Sequence, residues 1–282
     1  VPYKERALRH LDQADPEARA IGAVNTIIRS PEGMLVGANT DGMAACRVLE
    51  GAMGREDGGG EIGGRVLLLG AGGAARAVGV RMAQQMGGVE ILLHNRRRER
   101  ADEVAAILRR AGGRATVVDP PSLAEALAGV GAVVNTTPVG MAGPLRVDRG
   151  VVWLEPFSAL APAEPSPMPV ADGDQRVSGD ALLPPDWWRT AWPEIVLNLE
   201  GSLRRALQLR PGGVVLDLIY APRETITLKH ARWTGHQAMN GEGVLVGQAV
   251  EAFLRLAHPL IRDRDPDAVR GQVERVMTEA LG

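Results

Sequence analysis

A short, uninterrupted apolar run at residues 66–69 predicts a strand covered on both faces, and further strands are expected at 89–93, 114–118 and 131–135. The stretches between them, 74–86, 98–111 and 122–128, carry helix-like patterning. Strand and helix in strict alternation predict a parallel sheet with crossover helices, the doubly wound α/β arrangement. Ahead of this unit the pattern predicts a helix over 4–11, a break at 12–16, and a turn entering a strand over 20–28. A hairpin-type turn at 31–33 then leads to a second strand, 34–38, beside the first. A helix is expected over about 43–53 with Asp41 as its N-cap, and the glycine-rich stretch 54–64 predicts a linker.

Beyond 141 the pattern weakens. Residues 156–169 are rich in Pro and Ala, 171–180 are polar, and Trp187, Trp188 and Trp192 lie in a segment broken by Pro184, Pro185 and Pro193. So long a stretch without structure is unusual inside a compact domain, so an atypical insert or lid at about 142–200 is expected. Order resumes with a helix at 202–208, a strand at 214–219, a helix at 227–234 stopped by Gly235, a long helix at 243–256 and a last helix at 266–281. Asp217 inside an apolar strand predicts a buried, hydrogen-bonded carboxylate. The last two helices come too late to join the nucleotide sheet and are expected to fold back on 1–40. The expected organisation is therefore 1–42, then 43–237 carrying the insert, then 238–282 returning to the first part.

Composition narrows the class. The 282 residues are 45% hydrophobic and 23% charged, which excludes global disorder and leaves room for two cores. A net charge of −2 offers no general footprint for nucleic acid or an anionic membrane. No unbroken run of 18 apolar residues is present and no signal peptide opens the chain, so a soluble cytoplasmic protein is expected. Cys46 is the single cysteine, which excludes an internal disulfide and a multi-cysteine metal site. Its expected place is a buried apolar position in a reducing compartment. The five histidines show no metal-ligand spacing, and no metal is expected. The chain opens on Val1-Pro2-Tyr3-Lys4 without a methionine, and a missing N-terminal portion is expected.

The candidate chemistry centres on Gly70-Ala71-Gly72-Gly73-Ala74-Ala75. Gly70, Gly72 and Ala75 fit Gly-x-Gly-x-x-Gly/Ala in strand-to-helix context, where the turn lets a pyrophosphate approach the backbone. The helix that follows points its free N–H groups and positive dipole end at such an anion. An NAD site places an acidic residue at the end of the next strand to hold the ribose 2′-OH. Here that position reads His94-Asn95-Arg96-Arg97-Arg98-Glu99-Arg100, which favours a 2′-phosphate and therefore NADP over NAD or S-adenosylmethionine. Asn135-Thr136-Thr137-Pro138-Val139-Gly140-Met141 closes the fourth strand, at the end where such sheets line their ligand crevice.

These motifs join others in one order along the chain: Pro2-Tyr3-Lys4, Gly22-Ala23-Val24-Asn25-Thr26, Asn39-Thr40-Asp41-Gly42, Asp217-Leu218-Ile219-Tyr220-Ala221-Pro222 with Thr225, and Gly241-Glu242-Gly243-Val244-Leu245-Val246-Gly247-Gln248. Together with the glycine turn, Asn95-Arg96 and the Asn135 block they resemble the shikimate dehydrogenase family, over nearly the whole chain apart from 142–200. The resemblance implies an α/β fold with a Rossmann-type NADP domain and a smaller α/β substrate domain formed by both chain ends. It implies reversible hydride transfer between NADPH and 3-dehydroshikimate, giving shikimate, with these small molecules as partners and a monomer or homodimer as the assembly. Lys4 and Asp41 match the family's catalytic pair. Asn25 and Gln248 match substrate-binding positions, with Tyr220 near the substrate. Gly70, Ala71, Gly72, Gly73 and Ala74 match the pyrophosphate turn, Asn95, Arg96 and Arg100 the 2′-phosphate site, and Thr136 and Gly241 the nicotinamide side.

The chemistry suits these residues, since a ketone reduced by hydride becomes an alkoxide that needs a positioned proton donor. A lysine steadied by an aspartate can supply it. The chain departs from the family in having Val244 for the usual Met, Arg97 where Thr is common, and a longer 142–200 stretch. The serine pair with which the family holds the substrate carboxylate would lie before Val1. Quinate as substrate, or a truncated homologue that binds NADP with little turnover, are the alternatives.

Overall fold

The computed structural model describes residues 3–53, 64–147, 150–168 and 187–281. Nearly all of the expected 54–64 linker, and the prolines at 184 and 185, lie outside these residues.

The chain starts with helix α1 (Lys4–Leu8), strand β1 (Gln13–Ala14), helix α2 (Pro16–Ile21), strands β2 (Thr26–Arg29) and β3 (Leu35–Ala38), and helix α3 (Asp41–Ala52). β3 lies between β1 and β2 in a three-stranded sheet, antiparallel to β2 as the hairpin turn requires and parallel to β1. The expected break at 12–16 is instead β1 followed by the start of α2. Asp15 caps α2 by accepting from the Ala18 N–H at 2.6 Å, and Pro16, which has no N–H to leave unpaired, takes the first helical position. Gly22 ends the helix at φ +74°, a conformation that side chains disfavour. Asp41 is not the N-cap of α3. Thr40 occupies that position, and Asp41 is the first helical residue, which frees its carboxylate for other partners.

The large sheet follows the expected alternation: β4 (Arg65–Leu69), α4 (Gly73–Gln85), β5 (Glu90–His94), α5 (Arg98–Arg110), β6 (Arg114–Val117), α6 (Leu123–Gly129) and β7 (Ala132–Asn135). After the insert come β10 (Val214–Asp217), α8 (Ile226–Trp233) and β11 (Gln237–Met239), a strand too short for the pattern to mark. All six strands are parallel in the order β11-β10-β7-β4-β5-β6. Numbered within the sheet this is 3-2-1-4-5-6 read from the other edge, the dinucleotide-binding order with its switch point between β4 and β7. Alternate residues feed two apolar layers. Val66, Leu68, Ile91 and Leu93 pack with α3, α4 and α5, whereas Leu67, Leu69, Leu92 and Val133 pack with α6 and α8. Burial on both faces explains why Val66 to Leu69 of β4 reads as a continuous apolar run.

The weakly patterned 142–200 stretch holds a hairpin, β8 (Pro144–Val147) with β9 (Gly150–Trp153), and a long helix α7 (Trp187–Ala206). Trp187, Trp188 and Trp192 therefore lie on a helix that runs through Pro193, and the helix expected to begin at 202 is its C-terminal part. Asn198 and Ser202 of α7 fasten it to the buried Ser158, with Asn198 Nδ2 donating to the Ser158 carbonyl at 3.0 Å and Ser202 Oγ to Ser158 Oγ at 2.7 Å.

The chain ends in α9 (Glu242–Ile261) and α10 (Pro266–Leu281). α9 packs on α3 and reaches the N-terminal residues. Gly247 sits against Ala44 of α3, Arg255 pairs with Asp15 at 3.3 Å, and buried Glu251 joins Arg47 of α3 to Arg270 of α10. Burial alone raises the Glu251 carboxyl, but hydrogen bonds and charge from Arg270 and Arg47 outweigh it and hold the group below its ordinary range. Among the described residues α9 is also the one helix long and apolar enough to cross a membrane by length and composition, which a search for an unbroken apolar run does not register. One side of it packs on α3, while Phe253, Leu256 and Leu260 are exposed.

Candidate active site

The glycine turn joins β4 to α4 at the switch point. Gly70 has φ +109°, and a Cβ there would lie 2.7 Å from Thr136 Oγ1. Both the twist and the approach of β7 therefore demand glycine. Thr136 Oγ1 donates to the Leu69 carbonyl at 2.7 Å and so ties the end of β7 to the end of β4. Gly72 is the N-cap of α4 without a capping side chain, and an added Cβ at Gly72 or Gly73 would meet nothing within 4 Å. The first N–H groups of α4 thus face open space, with Ala71 and Ala74 beside them, as a bound pyrophosphate requires.

At the end of β5, Asn95 Nδ2 donates to the Arg97 carbonyl at 2.7 Å and shapes the turn into α5. Arg98 is held by Asp119 and Asp102. Arg96, Arg97 and Arg100 are exposed and have no acidic partner among the described residues. Three unpaired guanidiniums and an open glycine turn fit a dinucleotide with a 2′-phosphate.

Across from this turn Lys4 Nζ donates to Asp41 Oδ2 at 2.8 Å, and Asp41 Oδ1 accepts from Asn25 Nδ2 at 2.8 Å. The second Asn25 amide hydrogen goes to Thr40 Oγ1 at 3.0 Å, while Asn25 Oδ1 accepts from the Thr40 N–H at 3.1 Å. Thr40 Oγ1 donates in turn to the Gln248 carbonyl at 3.1 Å, so α9 is tied to the same cluster. Nothing in the sequence pattern gives Thr40 this bridging place, although it lies inside the Asn39-Thr40-Asp41-Gly42 block.

Three contacts bring the Lys4 cluster to α4. Gly42, next to Asp41, packs so closely on α4 that a Cβ would fall on the Ala77 carbonyl oxygen. Glu5, next to Lys4, pairs with Arg76 in the first turn of α4, and Glu17 of α2 pairs with Arg81 at 3.2 Å. Burial raises the Glu17 carboxyl above its ordinary range despite that arginine.

The wall on the other side of the switch point is organised by Asp217. Its Oδ1 accepts from Asn135 Nδ2 at 2.9 Å and the Ile219 N–H at 3.1 Å, and its Oδ2 from Thr225 Oγ1 at 2.7 Å. Burial pushes this carboxyl up to about 6, and the three hydrogen bonds oppose the rise. The expected buried, hydrogen-bonded carboxylate is therefore present. Beyond it Tyr220 is exposed at the strand end. Gly241, where a Cβ would strike the Leu218 carbonyl, donates its N–H to the Ile219 carbonyl at 2.9 Å and starts α9 there. Gln248 is half-buried two turns along that helix. Among the described residues no group of His, Cys, Asp and Glu is placed to hold a metal ion, and Cys46 is buried in the α3 core with its thiol pushed up by burial.

The chain is similar to known proteins. The family model described as the shikimate dehydrogenase substrate binding domain matches residues 1–27. The shikimate dehydrogenase (NADP(+)) of Paramagnetospirillum magneticum is 44% identical over 260 residues, covering 90% of this chain and 69% of that protein. The enzyme of the same name from Methylobacterium radiotolerans is 35% identical over 258 residues, covering 90% and 68%. Among solved structures, shikimate 5-dehydrogenase from Listeria monocytogenes, in complex with shikimate and NAD, superposes with a TM-score of 0.66 at 25% identity, covering 97% of this chain and 75% of its own. With an α/β fold of the dinucleotide-binding order, a glycine turn open to an anion and relatives of this identity and coverage, the chain belongs to the shikimate dehydrogenase family.

Proposed function

We propose that this chain catalyses the reversible, NADP-dependent reduction of 3-dehydroshikimate to shikimate. The observation that carries the proposal is the Lys4–Asp41 pair, held by Asn25 and brought by Gly42 against the helix that the glycine turn opens. NADPH, when bound, supplies the hydride. Gly70, Ala71, Gly72, Gly73 and Ala74 are proposed to cradle its pyrophosphate, Asn95, Arg96 and Arg100 its 2′-phosphate, and Thr136 and Gly241 to border its nicotinamide half.

Lys4 Nζ is the proposed proton donor to the ketone oxygen as negative charge builds there, and it regains its proton from solvent, to which its side chain is 39% exposed. Asp41 keeps that ammonium aimed. Asn25 turns an amide hydrogen from the cluster to a substrate hydroxyl, and Tyr220 and Gln248 line the same side. In the oxidative direction the neutral Lys4 amine, its proton released to solvent, accepts the hydroxyl proton.

The proposed division of labour places the substrate on 1–42 with 238–282 and the cofactor on 43–237, with α3 as the joint between them. This is supported by the contact of α9 with β2 and α3, and by the packing of α3 on α4. The proposed partners are these two small molecules, the assembly a monomer or homodimer, and the setting the cytoplasm. Neither a nucleic acid nor a membrane is included, and the net charge of −2 supports that choice. The test is formation of NADPH from NADP⁺ and shikimate, and its absence would overturn the proposal.

A further inference from the structure

We infer that the Asp217 carboxylate is a positioning residue that sets the nicotinamide-side wall of the cofactor site, acting through Asn135, Ile219 and Thr225. The inference rests on the NADP site proposed above and names a residue outside the groups proposed to touch either ligand.

The geometry puts one carboxylate where the loop after β7, the segment after β10 and the start of α8 meet. Through Asn135 it reaches the loop after β7: Asn135 Oδ1 accepts from the Thr137 N–H at 2.9 Å and Thr137 Oγ1 at 2.6 Å, and Asn135 Nδ2 also donates to the Val139 carbonyl at 3.1 Å. One asparagine thus fixes the backbone on both sides of Pro138. Through the Ile219 N–H it holds the segment after β10, whose Ile219 carbonyl receives the Gly241 N–H at the start of α9. Through Thr225 it holds α8, since Thr225 Oγ1 also accepts from the Leu228 N–H at 3.3 Å as the N-cap. Gly140 closes the arrangement, with φ +102° and an added Cβ only 3.2 Å from Thr225 Cβ.

The place of this hub in the sheet gives it a function. A dinucleotide crosses a doubly wound sheet at the switch point, with its two halves on opposite sides. The unpaired arginines after β5 mark the adenosine side, so the ends of β7 and β10 border the nicotinamide side. Asn135 and Asp217 are paired across those two strand ends in register. Their side chains are fully buried, and what they control is the backbone from Thr136 to Gly140 and from Leu218 to Tyr220. An all-apolar pair could fill the space, but it would leave the N–H of Thr137 and Ile219 without these acceptors.

The test is calorimetric binding of NADP⁺ and of adenosine 2′,5′-bisphosphate, which carries only the adenosine half, to wild type, Asp217→Ala, Asp217→Asn and Thr225→Val. Asp217→Ala is expected to weaken NADP⁺ by about tenfold or more, the scale of charge-assisted hydrogen bonds lost, and to leave the bisphosphate unchanged. Asp217→Asn, which keeps one carbonyl oxygen for Asn135 and Ile219, is expected to restore most of the NADP⁺ affinity. Thr225→Val repeats the pattern more weakly and carries the test if Asp217→Ala does not fold. Unchanged NADP⁺ binding, equal weakening of both ligands, or no recovery in Asp217→Asn would overturn the inference. Because calorimetry needs no turnover, a wild type that binds NADP⁺ but does not oxidise shikimate would fail the proposed function and leave this inference standing.

Discussion

Lys4 Nζ stands 2.8 Å from Asp41 Oδ2 while the other oxygen of that carboxylate is taken by Asn25, so the lysine is aimed by a group that is itself aimed. The pair is partly open to solvent, with Lys4 39% and Asp41 21% exposed, and ion pairs near the surface contribute about 0–1 kcal/mol to folding. Asp41→Asn is therefore expected to keep the thermal midpoint within a few degrees and to lower kcat by about 10²-fold, the low end of what positioned acid–base groups contribute. Steady-state kinetics beside a melting curve checks both halves, and a fall in kcat that only follows a fall in stability would count against the assignment.

Arg96 is exposed, free of acidic partners and placed just past the strand next to the glycine turn. Arg96→Ala is expected to raise KM for NADP⁺ by about tenfold to a hundredfold, the loss of one or two charge-assisted hydrogen bonds of about 1.5–3 kcal/mol. KM for NAD⁺, which lacks the 2′-phosphate, should not change. Parallel titrations with the two cofactors measure the difference directly.

Gly42 lies in the first turn of a helix, where alanine is ordinarily worth up to about 1 kcal/mol more than glycine. Here a Cβ would fall on the Ala77 carbonyl, and the obstacle is backbone, which cannot swing aside. Gly42→Ala is expected to destabilise by about 1–3 kcal/mol, the usual cost of overpacking, and to push Asp41 away from the cofactor helix. Denaturant unfolding reads the sign, and a stabilised variant would refute the close packing.

The Asp217 carboxyl rises from an ordinary 3.8 to about 6 in the fold. A raised carboxyl stabilises the fold below its unfolded value and loses that contribution as pH climbs through the folded one. Measured against Asp217→Asn, whose side chain does not titrate, wild type should lose relative stability between pH 3.8 and about 6 and change little above that. Thermal midpoints of the two proteins across that range give the difference, in which the other carboxylates cancel.

What could be read from the chain and what could not divide along physical lines. Val66 to Leu69, Gly70 and Gly72 carry their structure locally, because a doubly buried strand and a tight turn each leave a short-range pattern. α2 was equally local but hidden: Asp15-Pro16 looks like a break, yet an N-cap followed by proline at the first helical position is a start signal. α7 escaped for the opposite reason, since Pro193 and the nearby tryptophans contradict a helix that packing through Ile195, Asn198 and Ser202 maintains. Contacts such as Thr40 with Gln248, or Arg47 with Glu251, join residues about two hundred positions apart and leave no local trace at all. The local pattern at Asp41 reads as a cap and its place among the ordered motifs as one of a catalytic pair; the cap falls to Thr40, and the Asp41 carboxylate meets Lys4 and Asn25.

The most direct measurement is NADPH formation from shikimate and NADP⁺ by wild type and by Lys4→Ala at equal protein concentration and matched folding by circular dichroism. Turnover that depends on both shikimate and NADP⁺, reduced by about 10²- to 10⁴-fold in Lys4→Ala, is the expected result. Undiminished turnover by Lys4→Ala, or none by wild type, would contradict the assignment of this chain as a shikimate dehydrogenase working through Lys4 and Asp41.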